Sequence, residues 1–198
     1  MENERQSLKQ RALHLAYFII AWDVIEGILA VTAGLAAGSI ALLGFGIDSS
    51  IEVFAASVVA WQLRGNVRGR EKIALRLIAL TFFALAAYVA FQSISDLVTQ
   101  DKAEPSIVGI VLNVVALIVM VPVAIMQRKT GKAIDNQAVV AQSQETWVSN
   151  YLSISLLAGL GANALFGWWW ADPVVALHIC GVAVYSGVGS LREAGEQR

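Results

Sequence analysis

The sequence predicts an all-α polytopic membrane protein, a bundle of six transmembrane helices, on three observations. Hydrophobic residues make up 57% of the 198 and charged residues 15%, giving a mean hydropathy of +0.64; soluble globular domains carry roughly 25% charged residues. Six apolar stretches are each long enough to cross roughly 30 Å of hydrocarbon. Thirteen of the fourteen basic residues fall on one side of the bundle those stretches would form. The length fits a single domain over 1–198, and the net charge of −1 gives no general attraction to nucleic acid. Cys180 is the one cysteine, so an internal disulfide and a Cys-rich metal site are both excluded.

The first span is expected at about 12–36. The polar opening MENERQSLKQR does not fit a signal peptide, and the apolar run behind it is longer than a signal core. A tight turn at Ala37-Gly38 leads into the second span, about 39–63. These two spans are rich in small residues (Gly27, Ala30, Gly34, Gly44, Gly46), which let membrane helices approach closely. The third (73–94) and fourth (106–126) are bulkier and less polar. The fifth (140–167) begins with QSQETWVSNYLSIS and turns small again at Ala158, Gly159, Gly161 and Ala162. The sixth (173–191) starts at Pro173, a residue suited to a first helical position, with Asp172 before it as N-cap. The first, second and fifth spans are expected to form a compact polar-lined core, with the sixth close by.

Charge sets the expected orientation. Arg5, Lys9 and Arg11 precede the first span, and Arg64, Arg68, Arg70, Lys72 and Arg76 sit between the second and third. Arg128, Lys129 and Lys132 lie between the fourth and fifth, and Arg192 and Arg198 follow the sixth. Lys102 alone lies opposite. The positive-inside rule then places both termini in the cytoplasm, in the plasma or inner membrane of the cell, with Trp168-Trp169-Trp170 in the outer aromatic belt.

Within this apolar frame the second span carries Asp48 and Glu52. Four residues is about 400° of helix, so both acids project from one face. Hydrocarbon penalises an ionised carboxylate by roughly 2.5–3.5 kcal/mol on insertion scales, and two on one stripe repel each other. Such a pair persists if a cation shares the site or if protons do, which makes DSSIE a cation-site candidate. The alternative is a hydrated structural pair bonded to Ser49, Ser57 or another helix. In the first span, Asp23 and Glu26 lie three apart on roughly one face. Counted inward from Gly38, Glu26 and Asp48 lie at comparable depths, on the order of 12–18 Å, so Glu26 is expected in the same site. Asp23 lies deeper toward the cytoplasm and is expected to line an inner vestibule or to cap a polar contact. In the fifth span, Glu145, Thr146, Ser149 and Asn150 offer oxygen ligands at helical spacing, against a solvated helix end for Glu145 and interhelical bonding for Asn150.

Asn113 and Asn163 are expected in helix packing. His14 and His178 have no ligand-spaced partner, so a packing or interfacial role is expected, and Cys180 is read as a small hydrophobe. No nucleophile-and-base set and no phosphate-cradling glycine loop occurs, so an enzyme is not expected.

Taken together, these residues resemble the cation diffusion facilitator family of divalent-metal/proton exchangers. SIALLGFGIDSSIEVFAASVVAW is similar to that family's second helix, with Asp48 and Glu52 on its two acidic positions. The stretch from Tyr151 to Ala194, including the tryptophan run and Ala171-Asp172-Pro173, is similar to its fifth and sixth helices. The resemblance implies a six-helix homodimer that binds Zn²⁺ or a similar ion between the second and fifth helices. The family's fifth-helix His-x-x-x-Asp falls here on Thr146 and Asn150, and no C-terminal cytoplasmic domain is expected, which resembles a short, divergent branch.

The expected function is export of a divalent cation as substrate, Zn²⁺ first, with Co²⁺, Mn²⁺, Fe²⁺ and Cd²⁺ as alternatives, by proton antiport across the lipid bilayer. Asp48, Glu52, Glu26, Asn150 and Glu145 are the expected metal ligands. Asp48, Glu52, Glu26 and Asp23 are the expected proton-coupling groups. The rival expectation is a metal-binding membrane sensor or accessory subunit that does not transport. An all-oxygen site suits harder ions as well as zinc, which favours N and S ligands.

Overall fold

A computed structural model describes residues 2–37, 40–99 and 107–196. They form α1 (Glu2–Ala37), α2 (Ile40–Arg64), α3 (Val67–Thr99), α4 (Ile107–Ala133), α5 (Gln137–Phe166) and α6 (Ala171–Glu196), with no strand among the described residues. Ser39, Ser106 and Lys102 lie outside the described residues.

Five helices are long and apolar enough to cross a membrane, and the chain is a multi-pass membrane protein. Over its described residues α5 does not reach that mark, because its first half reads QAVVAQSQETWVSNYLS. It packs against α2, α3, α4 and α6, so neighbouring helices shield those polar groups. Most helices run past the expected spans where the basic residues cluster: α1 begins at Glu2, α4 continues to Ala133 and α6 to Glu196. Hydropathy marks only the part that lies in hydrocarbon; the flanking Glu, Lys, Arg and Gln are good helix formers and carry the helices onward.

Two packed pairs organise the bundle: α1 on α2, and α3 on α6, with α5 bridging to α4 and α6. The first pair is set by size. A Cβ on Gly46 would stand 3.2 Å from the Gly27 carbonyl oxygen, and one on Gly27 would stand 3.4 Å from the Ser49 Cβ. These backbones meet closely only because both positions are glycine, and that closeness brings Glu26 beside Ser49. Leu63, Leu75, Ile78, Phe82 and Leu85 form the apolar core between α2, α3 and their neighbours.

The turns near the basic residues, at the basic end of the bundle, are tightly capped. Asn66 starts α3, its Oδ1 accepting from the Gly69 N–H at 3.1 Å. Arg70 lies over the Trp61 ring at 4.6 Å and donates to the Trp61 carbonyl at 3.0 Å, closing the end of α2. Between α4 and α5 the chain turns through Asp135, whose φ is 52°. Asn136 then caps α5 by accepting from Val139 N–H at 3.0 Å. Glu71 of α3 accepts the Gln137 N–H at 2.6 Å, and Arg5 donates to the Ile134 carbonyl at 3.4 Å. At the opposite end α5 stops before Gly167, whose φ of 70° fits a glycine helix terminator. Trp168 and Trp170 stack there, exposed.

Candidate metal centre

The acids predicted from sequence are all buried inside the bundle: Asp23, Glu26, Asp48, Glu52 and Glu145. One contact ties α2 to α1, and a second, within α1, holds the same carboxylate. The Ser49 hydroxyl donates to Glu26 Oε1 at 3.3 Å, and Trp22 Nε1–H donates to Glu26 Oε2. Sequence reasoning missed Trp22; its signal was the i, i+4 spacing to Glu26.

A third contact reaches α5. The Ser149 hydroxyl donates to Asp48 Oδ1 at 3.2 Å, across 101 residues of chain. Glu52 faces Ser149 as well, and on its other side faces Asp23. Asp48 and Glu52 therefore point into the bundle toward α5 and α1. Asp23, expected at a vestibule, stands beside Glu52. Glu52 Oε1 and Asp23 Oδ2 are buried without a hydrogen-bond partner.

The other predicted ligands lie near this cluster without closing it. Asn150 is buried on α5 with its Nδ2 unpartnered. Thr146 bonds within its own helix, to the Gln142 carbonyl. Glu145 is one turn from Ser149 toward the basic end and has Thr81 of α3 beside it. Among the described residues no three His, Cys, Asp or Glu side chains are grouped closely enough to hold one metal ion. Around Asp48 and Glu52 stand the carboxylates of Asp23 and Glu26 and the neutral hydroxyl of Ser149.

A cavity of about 140 Å³ opens from Asp48 toward the end away from the basic cluster. Tyr88, Gln92, Ser93 and Asp96 of α3 line it, facing Ser153 of α5 and Asn113 of α4. Gln92 donates to Asp96 at 2.9 Å. The sequence expectation for the third span is bulky and less polar; Tyr88, Gln92 and Asp96, at successive intervals of four, instead give α3 a polar stripe along this cavity.

The remaining polar residues stand apart. His14 lines a groove between α1 and α4 with Arg11, Phe18 and Met126, and His178 is exposed on α6. The Cys180 thiol donates to the Ala86 carbonyl at 3.2 Å. Asn113 donates to Gly109 of its own helix, so that bond does not join helices. The side chains of Asn163 and Asp172 lie outside the described residues.

Residues 16–197 match the cation efflux transmembrane domain family. The chain belongs to the cation efflux family. It is also similar to an uncharacterised transporter of Synechocystis sp., 23% identical over 168 residues, which cover 79% of this chain and 54% of that protein. The chain thus spans about half the length of the curated relative it matches. Membership of the family agrees with the resemblance carried by the DSSIE segment and the Trp-Ala-Asp-Pro turn.

Proposed function

We propose that this chain carries a divalent metal cation across the membrane in exchange for protons. Zn²⁺ is the first candidate substrate, with Co²⁺, Mn²⁺, Fe²⁺ and Cd²⁺ as alternatives. The single observation behind the reading is the Ser149–Asp48 contact, with Glu52 facing the same serine. It turns the acid pair of α2 toward another helix and away from lipid. Membrane acids so placed mark ion pathways. Asp48 and Glu52 supply the charge, and Glu26 and Asn150 complete the shell from the flanking helices. The cation and protons compete for the same carboxylates: metal binding requires their deprotonated form, so the arrival of one releases the other. Asp23, beside Glu52, is placed to take part in that exchange. The cavity beside Asp48 supports access from the end away from the basic cluster. With that cluster on the cytoplasmic face of the cell membrane, the direction is export, and the exposed apolar helix faces leave room for a second copy in a homodimer.

The test is Zn²⁺, Co²⁺ and Mn²⁺ uptake into proteoliposomes under a pH gradient. Replacing both acids, Asp48→Ala with Glu52→Ala, is expected to abolish uptake; uptake equal to the parent's overturns the assignment. The absence of a three-acid group among the described residues favours one rival, a metal-binding sensor or accessory subunit that does not transport. That rival gains metal-dependent thermal stability with no proton-coupled flux.

A further inference from the structure

The first half of α5 carries buried polar groups that the carboxylate cluster leaves unused. Gln142, Glu145, Thr146 and Ser149 recur at i, i+3, i+4 and i+7, one face of a helix. Ser149 tells where that face points, because its hydroxyl reaches Asp48. One turn toward the basic end, Glu145 is 1% exposed and neither of its carboxylate oxygens has a hydrogen-bond partner. Gln142, also 1% exposed, has neither amide atom paired. Thr81 of α3 stands beside Glu145, but its hydroxyl proton is committed to the Ile78 carbonyl at 2.6 Å, which leaves its oxygen as an acceptor. The charged groups facing Glu145 are Glu52 and Asp48, both acidic. A buried carboxylate with unpaired oxygens, unpaired amide groups close by and only acids facing it is costly unless a proton or a visiting cation neutralises it, and the unpaired amide oxygen of Gln142 beside it suits the cation.

We propose that Glu145, with the side-chain oxygens of Gln142 and Thr81, forms an inner cation station one helical turn from Asp48 and Glu52. A divalent metal ion rests there on its way between the aqueous phase at the basic end and the main site. The inference rests on the transport reading. A single carboxylate with neutral oxygens binds weakly and releases readily, as a transit point must. The same face of α5 continues to Ser153 in the cavity beyond Asp48, so protein oxygens flank the acid pair on both sides along one helix.

The experiment is initial-rate Zn²⁺ flux in proteoliposomes of uniform orientation, with metal offered at one end of the bundle or the other. Glu145→Gln, near-isosteric, is expected to raise KM at least about fivefold for Zn²⁺ offered at the basic end while leaving KM from the opposite end within about twofold. An equal change from both ends, or none, overturns the proposal. If that variant does not purify as a folded protein, Gln142→Leu takes its place, with the same one-sided rise of about threefold expected and a two-sided or null result decisive against the station. Asp48→Asn, measured in parallel, separates the two readings. Flux that survives it from both ends defeats the transport site itself. Flux that it abolishes, alongside a Glu145→Gln protein with no one-sided change, defeats only the inner station.

Discussion

Helices α4 and α5 are neighbours in the chain, similar in length, and opposite in character. On α4, Ile107, Val108, Val111, Val114 and Ile118 are exposed, and Pro122 interrupts an otherwise apolar run. On α5, Gln142, Ser143, Glu145, Thr146, Ser149, Asn150 and Ser153 are all buried. In water the apolar helix would be the interior one. In a bilayer the lipid accepts α4's branched side chains at no cost, and the polar helix must be wrapped by others. Between these two helices the polar one is the interior one, so hydropathy alone misjudges the importance of α5.

The comparison can be broken most severely at Ser149. Leucine there removes the hydroxyl that bonds Asp48 and fills the space beside Glu52, and Zn²⁺ flux is expected to fall on the order of 100-fold; flux near the parent's shows that α5 does not face the site. A smaller effect belongs to the start of α5. Glu71→Ala leaves the Gln137 amide without its acceptor, and unfolding in mixed micelles is expected to show a loss of about 1–2 kcal/mol. Unchanged unfolding means that solvent replaces Glu71 there. The smallest effect is expected on the lipid-facing side of α4, where Ile118→Ala should change stability by less than about 0.5 kcal/mol; a larger loss in the same assay means that this face is covered by another helix or a second copy.

Much of this arrangement was legible in the sequence, and for physical reasons. Apolar length gives membrane helices directly, and basic residues at alternate connections give their up-and-down order. The acids on α2 stood out because nothing else in their stretch is charged. The equal depth of Glu26 and Asp48 followed from helical rise, and the structure brings each to a serine of the helix opposite: Glu26 to Ser49, Asp48 to Ser149. What one chain segment could not reveal is rotation about each helix axis. Asp23 lies one turn deeper than Glu26, as Glu52 lies one turn deeper than Asp48, and its carboxylate turns toward Glu52; depth was legible, the turn toward α2 was not. Tyr88 and Gln92 escaped notice because their surroundings are so apolar that polar groups spaced by four looked incidental, and Asp96, at the outer edge of the span, was not joined to them. Glu145 shares helical spacing on α5 with Ser149 and Asn150, which put it in the same expected shell, and that it has Thr81 beside it depends on where α3 lies.

The bonds that join α5 to its surroundings near the basic residues have a mechanical meaning. Glu71 holds the Gln137 amide, Asn136 caps the same turn, and Arg5 reaches across to the Ile134 carbonyl. A rod clamped at one tip swings from that tip, so any tilt of α5 displaces Ser153 more than Ser149, and Ser149 more than Gln142. The clamp thus makes α5 a lever whose fulcrum lies among the arginines and whose stroke grows toward the tryptophans.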